Sequence, residues 1–219
     1  VGTDGNWTVT VPADNVGDLA DGPLTVTATV SDEAGNVASD NHAVTVDTVQ
    51  PGVTVTITDA VLNIADPSSD LTIVFSEVPH SATGVALTSE QVKALLNLPA
   101  GVSVGDLTTS NGGLTWTGTL TADSVVNATD LTVTVPANSY YDQAGNAGTG
   151  NSDSVTVDTT APTIDQAAIG DGNLSRDEAT NITLSGTTTG VEADQTVTVT
   201  VTDGNGATVV VTATVGTDG

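Results

Sequence analysis

The sequence predicts an all-β protein built from small sandwich domains in tandem, and its composition is the first observation that indicates this. Thr (41) and Val (33) supply about a third of the 219 residues, whereas Phe, Trp and Tyr together number five. β-Branched side chains favour strands, and so light a core suits several small sandwiches better than one large globule. Cysteine is absent, so disulfides cannot stabilise these domains, and bound metal is the leading alternative.

The charge balance excludes whole classes of partner. Asp and Glu total 27 against two basic residues, which gives a formal net charge of -25. Nucleic acid is excluded because no cationic surface exists to neutralise phosphates. Binding to an anionic membrane surface is disfavoured for the same reason. The sequence also has no apolar run long enough to span a bilayer, so we expect no direct membrane insertion.

The acidic residues are unevenly divided, with 22 Asp and only 5 Glu. An excess of Asp is typical of turns, because Asp side chains hydrogen-bond the local backbone there. It is equally typical of calcium sites, whose oxygen ligands come largely from Asp and Asn in loops. Composition alone leaves both interpretations open, so the positions of the acids have to decide.

Internal repetition is the second observation that predicts tandem domains. Two pairs of similar segments recur at nearly the same offset along the chain, and one identical pentapeptide stands at both of its ends. The distance along the chain between the members of each similar pair is close to the size of one immunoglobulin-like sandwich, roughly 100 residues. Two domain types therefore alternate, and the distance between the two identical pentapeptides is one period of the array. The segments are SDEAGNVA (31–38) with YDQAGNAG (141–148), VTVDTVQP (44–51) with VTVDTTAP (155–162), and VGTDG (1–5) with VGTDG (215–219).

The Asp-Thr-x-x-Pro segments set the domain boundaries. They predict one complete seven-stranded domain at 52–157, the C-terminal half of a preceding domain (strands E–G) at 1–47, and the N-terminal half of a following one (strands A–D) at 162–219. We therefore expect the chain to be one piece of a longer linear array. Since neither half can cover its own sheet face, we expect the halves to pack against neighbouring copies, head to tail.

One helix is predicted inside the complete domain, near 88–98. Thr88 and Gln91 fit a capping box, and Val92, Leu95 and Leu96 repeat at helical spacing. We expect this helix to cover the sandwich, with its apolar side buried. In the strands, Trp7 of NWTVTV and Trp116 of LTWTGTL occupy equivalent positions in the two domain types, so both are expected in domain cores.

At these residues the chain resembles the bacterial Ig-like repeats of giant surface adhesins, the type I-secreted, RTX or biofilm-associated proteins. The resemblance lies in LADGPLTVTATVSDEAGNVA (19–38), FSE (75–77), GLTWTGTL (113–120) and the DQAGN and DTTAP segments. It implies an extracellular extender region at the bacterial cell surface, often calcium-stiffened at its junctions. A distal region outside this chain would then bind the host or surface ligand.

The topology of a seven-stranded sandwich brings four groups of candidate Ca²⁺ ligands to the domain junctions. F–G loops lie at the N-terminal end of each domain, whereas A–B loops and linkers lie at the C-terminal end. Each junction therefore gathers two loop acids, one linker Asp, and an Asp with an Asn from the next domain, and carbonyls with waters can complete the six to eight oxygens that Ca²⁺ takes. The candidates are Asp32, Asn36, Asp142 and Asn146 in F–G loops, Asp47 and Asp158 in linkers, and Asp59, Asp66, Asp171 and Glu178 in A–B loops.

Each group also has a purely structural interpretation. The D-x-AGN segments are good turn sequences, and the proline of each Asp-Thr-x-x-Pro segment can simply stiffen a linker. The sequence leaves these alternatives open. On the calcium interpretation, the 47–51 junction holds Asp47 with Asp142 and Asn146, and the 158–162 junction holds Asp158 with Asp59 and Asp66.

Three classes of function compete for this sequence. A calcium-stiffened spacer fits the repeats best. An adhesive, glycan-binding or homophilic module, or a subunit of an extracellular filament, is the alternative, although glycan recognition usually needs exposed aromatic residues. An enzyme is not expected, because His42 and His80 are isolated and no Ser-His-Asp arrangement is visible.

Overall fold

The computed structural model describes residues 5–12, 17, 19–123, 127–166, 172, 175–177, 180 and 182–217. These residues confirm the all-β prediction: they form strands, with one short helix. No helix in the described part of the chain has the length and apolarity needed to cross a membrane. The elements are β1 (Gly22–Ser31), β2 (Val37–Val46), β3 (Val53–Ile57), β4 (Val61–Asn63), β5 (Ser68–Phe75), α1 (Ser89–Ala94), β6 (Val102–Val104), β7 (Thr115–Ala122), β8 (Asn127–Val135), β9 (Asn151–Asp158), β10 (Thr163–Gln166), β11 (Gly186–Thr189), β12 (Thr196–Thr202) and β13 (Thr208–Thr214).

Strands β3 to β9 form a two-layer sandwich. One sheet has the order β3-β5-β7-β6 and the other the order β4-β9-β8. β3 and β4 are separated by only three residues, yet β3 pairs with β5 in the first sheet, and β4 pairs in parallel with β9 in the second. The chain therefore crosses between layers near Asp59, which places the start of β3 and the end of β9 at opposite ends of the sandwich.

The core lies between these two sheets. Alternate residues of β3 and β5 are buried, as expected for strands with one face against a partner layer. Trp116 is 5% exposed and its indole N–H donates to the Gly113 carbonyl at 2.8 Å, so it is a core residue as predicted. The largest fully buried apolar side chains are Tyr140, Leu62, Leu71, Ile73, Leu120, Val92, Val133, Val135, Val155 and Val157.

Helix α1 covers the sandwich and is shorter than the segment that predicts it. The Thr88 hydroxyl accepts from the Gln91 N–H (3.4 Å), and the Gln91 side-chain oxygen accepts from the Thr88 N–H (3.0 Å), so the capping box is present. Val92 is fully buried. The helix ends at Ala94 because the chain then turns to β8, where Asn97 exchanges backbone hydrogen bonds with Thr134 at 2.8 and 3.2 Å.

The segments on either side of the sandwich form two-stranded sheets with little cover. β1 and β2 form one two-stranded sheet, β10 and β11 a second, and β12 and β13 a third. Trp7 is 62% exposed, unlike Trp116, because the sheet opposite Trp7 is two strands wide, whereas the layers around Trp116 are four and three strands wide. That Trp7 is a core residue of a complete domain stays a prediction.

Candidate metal centre at the first domain junction

The candidate site is built on the D-x-AGN turn between β8 and β9. Asp142 Oδ1 accepts from the backbone N–H groups of Gly145 (2.7 Å) and Asn146 (2.8 Å), and its Oδ2 accepts from the Asn146 side-chain amide (2.7 Å). Gly145 has φ +99°, a left-handed conformation that favours glycine. The motif therefore forms a tight turn that fixes both carboxylate oxygens of Asp142.

The turn between β1 and β2 repeats this geometry on the surface. Asp32 Oδ1 accepts from the Asn36 N–H (2.8 Å) and Oδ2 from the Asn36 side-chain amide (2.7 Å). The two Asp residues differ in burial, since Asp32 is exposed and Asp142 is 0% exposed. Because the two motifs share these hydrogen bonds, the turn interpretation is supported for both. The burial of Asp142 distinguishes its turn, which lies beside the linker, from the exposed turn of Asp32.

Hydrogen bonds lower the pKa of both carboxyl groups. For Asp32, the bond from the Asn36 side chain is the largest cause, followed by the Asn36 backbone N–H. For Asp142, burial is the largest single influence and acts to raise the pKa. The bonds from the Asn146 side chain and from the backbone of Asn146, Gly145 and Ala144 together outweigh it, so the net pKa is lowered. Both side chains are thus held as carboxylates at neutral pH.

The first linker is tied to this turn by several hydrogen bonds. The Asn146 side-chain amide donates to the Asp47 carbonyl at 3.0 Å. The Tyr140 hydroxyl and the Thr149 N–H both donate to the Pro51 carbonyl, each at 2.9 Å. Residues 47 to 51 therefore lie against the N-terminal end of the sandwich.

The same linker is also held from its other side. Asp21, just before β1, accepts from both the N–H (3.0 Å) and the hydroxyl (2.9 Å) of Thr48. Asp47 Oδ1 accepts from the Val49 N–H at 3.2 Å, which is the local turn bond expected of an Asp in this position. The linker is thus fixed both to the segment that precedes it and to the sandwich that follows it.

Three acidic side chains converge at this linker. Asp47, Glu77 and Asp142 each offer one carboxylate oxygen, and the three oxygens lie within 4.8 Å of one another. We call these three residues the junction cluster. The pKa of Glu77 is raised, first by burial and then by the negative charges of Asp47 and Asp142, with His80 opposing the shift. Like-charge repulsion within the cluster therefore contributes to the raised pKa of Glu77.

Glu77 is the residue that sequence reasoning missed. The signal that could have found it is strand pairing: β3 and β5 are antiparallel, and Val53 is opposite Phe75. The residue two positions beyond Phe75 must therefore lie at the same end of the sandwich as Pro51. The Ser76 N–H donates to the Gly52 carbonyl at 2.9 Å, which continues this pairing to the linker.

The donor set of the junction cluster fits a hard divalent cation. Its ligands are carboxylate oxygens, which Ca²⁺ prefers, and Ca²⁺ tolerates irregular geometry better than Mg²⁺ does. The chain has two basic residues. Lys93, on α1, has its Nζ 3.9 Å from Asp106 Oδ1, and Arg176 follows β10 in the sequence. Three carboxylates do not fill a Ca²⁺ shell, so further oxygens would have to come from carbonyls, water or a loop of the preceding domain.

The candidates at the second junction are not gathered in the same way. Asp158 Oδ1 accepts from the Thr160 N–H at 3.0 Å, as Asp47 does from Val49. Among the described residues, no set of three or more acidic, histidine or cysteine side chains close enough together to hold one metal ion includes Asp158, Asp59 or Asp66. Asp171 and Glu178 lie outside the described residues. The predicted calcium site there, with Asp32 and Asn36 of a following copy, stays a prediction.

The chain is similar in sequence to a solved structure of tandem repeats. The crystal structure of a tetra-tandem repeat in the extending region of a large adhesion protein is 26% identical, with 92% of this chain and 47% of that chain covered and a TM-score of 0.31. The chain thus spans about half the length of that structure. No curated protein matches the chain at a significant level.

Two family models match the chain. One, described as a bacterial Ig-like domain, matches residues 47–159, which is more than half of the sequence. A second model with the same description matches residues 1–48. Both matches confirm the resemblance carried by the D-x-AGN and Asp-Thr-x-x-Pro segments. The chain belongs to the bacterial Ig-like domain family.

Proposed function

We propose that this chain is a structural extender repeat of a bacterial surface adhesin, stiffened by Ca²⁺ at the junction that precedes the intact sandwich. The observation that carries the proposal is the junction cluster. Asp47 belongs to the linker, whereas Glu77 and Asp142 belong to the sandwich. A cation bound by all three would cross-link the linker to the domain.

The energetics favour a junction that responds to calcium. Without a cation, three carboxylates within 4.8 Å of one another repel, and this repulsion opposes the hydrogen bonds from Asn146 and Tyr140 that hold the linker. With Ca²⁺ bound, the same charges become attractive ligands on both sides of the hinge. Extracellular modules bind Ca²⁺ with dissociation constants on the order of 10⁻⁴–10⁻³ M, so the junction would stiffen outside the cell and loosen inside it.

The role follows from the mechanical effect. Neighbouring repeats joined by stiff linkers form a rod, and a rod at the cell surface keeps a distal ligand-binding region away from the envelope. That distal region lies outside this chain, and its ligand would be a host or environmental surface, with adhesion or biofilm formation as the outcome. On this proposal the chain itself performs no catalysis.

Calorimetric titration of the chain with Ca²⁺ tests the proposal. We expect binding that Glu77→Gln weakens at least tenfold, because one of three carboxylate ligands is lost. Glu90→Gln is the matched control, since it removes the same charge from an exposed position on α1. If the chain takes up no Ca²⁺ at millimolar concentration, or if both variants bind equally, the junction cluster is not a calcium site.

A further inference from the structure

The first two strands of the intact sandwich lie along its last strand. β4 pairs with β9 in parallel, and just before this pairing the Thr156 N–H donates to the Ala60 carbonyl at 3.1 Å. Just before β9 begins, the Thr149 N–H donates to the Pro51 carbonyl at 2.9 Å. β3 and β4 therefore run beside β9, in the same direction, from one end of the sandwich to the other.

Backbone pairing covers only part of this length, because the chain changes sheets between β3 and β4. β4 is in the same sheet as β9, and the pairing extends over three residues of each strand. β3 is the edge strand of the other sheet, where it pairs with β5. The first half of β9 thus lies beside a strand that belongs to a different sheet.

Two side chains of β9 make the connection to β3. The Val55 N–H donates to Asn151 Oδ1 at 2.9 Å, and the Ile57 N–H donates to Asp153 Oδ2 at 2.8 Å. Since alternate residues of a strand share a face, Asn151 and Asp153 are on the same face of β9 as the buried Val155. Polar residues at these two positions therefore extend the row of hydrogen bonds along the whole of β9.

This row joins the two strands through which the chain enters and leaves the sandwich. The linker at Pro51 leads into β3, and β9 leads into the second linker after Asp158. β9 has eight residues, so the two connections are about 26 Å apart at a rise of ~3.3 Å per residue. A pull on both linkers slides β3 and β4 past β9. Because these strands run in the same direction, the pull strains all the bonds of the row together, whereas a hairpin pulled from its open end loses its bonds one at a time.

We propose that the intact sandwich resists tension along its long axis, and that Asn151 and Asp153 transmit this tension between the first and last strands. The inference deepens the proposed extender role, because a rod that holds a distal region at a cell surface is pulled along its axis. It does not depend on calcium.

The same two side chains also satisfy backbone N–H groups at the edge of β3, where an unpaired donor would be costly. That structural role alone would make their loss equally harmful whichever way the domain is pulled. Transmission of tension is directional, so the direction of the pull distinguishes the two roles.

Single-molecule stretching of the whole chain, in chelator, supplies the two directions. The chain has no cysteine of its own, so handles can be attached to introduced pairs. Val49→Cys with Ala161→Cys, at two exposed positions in the linkers, pulls the sandwich along its axis. Val85→Cys with Ser110→Cys, at exposed positions on either side of α1 and β6, pulls on those elements and not on β3 or β9.

Under the axial pull, Asp153→Ala should raise the unfolding rate at a given force about tenfold, because a hydrogen bond to a carboxylate is broken in reaching the transition state. Under the second pull the rate should stay unchanged, since that bond is still intact when α1 and β6 detach. Asn151→Ala should act in the same direction by about threefold, as expected for a neutral acceptor. Asp153→Asn should recover most of the resistance, because it keeps an acceptor oxygen.

Ser152→Ala is the matched control, since Ser152 lies between the two residues on the other face of β9 and is exposed. An effect of Ser152→Ala as large as that of Asp153→Ala would overturn the proposal. So would an unchanged axial rate in Asp153→Ala, or an equal increase under both pulls. If Asp153→Ala does not fold, the two pulls on Asn151→Ala decide in the same way. Because chelator is present throughout, a failure here leaves the calcium site untouched, and a chain that binds no Ca²⁺ leaves this result untouched.

Discussion

The side-chain amide of Asn146 donates to the Asp47 carbonyl at 3.0 Å, although the two residues are far apart in the sequence. The same amide nitrogen donates to Asp142 Oδ2 at 2.7 Å. One side chain therefore joins the linker to a buried carboxylate of the junction cluster. Because the carboxylate also accepts from the backbone N–H groups of Gly145 and Asn146, the linker is tied to a turn that is itself held by hydrogen bonds.

The first prediction concerns this amide. Asn146→Ala removes the bonds to Asp47 and Asp142, so we expect a loss of about 1–3 kcal/mol in the free energy of unfolding of the intact domain. Urea unfolding followed by tryptophan fluorescence gives the measurement, in a Trp7→Phe background so that the signal comes from Trp116. Asn36→Ala is the matched control, since it breaks the same turn in the exposed hairpin, where the Asn36 amide donates to Asp32 and not to a linker. Equal unfolding midpoints for Asn146→Ala and wild type would contradict the role assigned to the amide.

Much of the fold could be predicted because the signals are local. Alternating Val and Thr in β3 and β12 specify strands at a period of two, and the capping box at Thr88 specifies where the helix starts. The C-terminal end of the helix could not be predicted, since it depends on the pairing of Asn97 with Thr134, which is set by the arrangement of the sheet. The exposure of Trp7 could not be predicted from its sequence pattern, because the number of strands that cover a residue is not a local property.

The part of the candidate site that belongs to repeated motifs could be predicted from the sequence. Asp142, Asn146 and Asp47 could be brought together because both domain types repeat them and because strand order fixes which end each loop occupies. Glu77 was missed since it lies at the end of a strand, in no repeated acidic motif, and joins the cluster only through the pairing of Val53 with Phe75. Distances among carboxylates depend on that register, so composition and spacing could not supply them.

The second prediction uses the raised pKa of Glu77. A carboxyl whose folded-state pKa is above its ordinary value of 4.5 destabilises the folded state once it ionises, so that stability is greatest below that value and falls as pH rises through the folded-state pKa. In chelator at pH 7, Glu77→Gln should therefore stabilise the domain, on the order of 1 kcal/mol from relieved repulsion. Thermal melts at pH 7 and pH 4 give the test.

The difference between Glu77→Gln and wild type should shrink towards zero at the lower pH, because protonation relieves the same repulsion in wild type. Added Ca²⁺ should reverse the order at pH 7, since the wild-type carboxylate then gains a ligand. A variant that is less stable than wild type in chelator at pH 7 would show that Glu77 is stabilised by a contact other than a bound cation.

The third prediction concerns Gly148, which lies flat against the ring of Tyr140. A methyl group at residue 148 would overlap that ring, and Tyr140 cannot retreat because its hydroxyl is bonded to Pro51 and its ring packs edge-on against Phe75 at 4.9 Å. Gly148→Ala should cost about 1–3 kcal/mol and detach the linker. Gly52→Ala, in the same junction, is the control, since its methyl group meets only the Ser76 and Thr149 hydroxyls at ordinary distances of 3.8 and 4.0 Å. Comparable thermal midpoints for the two variants would contradict the packing argument.

The last prediction concerns the length of a multi-repeat rod. Asp47→Ala should leave each sandwich folded, because Asp47 lies outside the core, but it removes the linker's ligand from the junction cluster. Small-angle scattering should therefore give a larger maximum dimension for wild type in excess Ca²⁺ than in excess chelator, and Asp47→Ala should resemble the chelated form in both. Asp158→Ala tests the other junction in the same way, where the described residues form no cluster. If it too abolishes the response, an adjacent copy completes a second site. If the wild-type dimension is the same in Ca²⁺ and in chelator, calcium does not stiffen the rod, and the junction is held by hydrogen bonds such as those of Asn146, Tyr140 and Asp21.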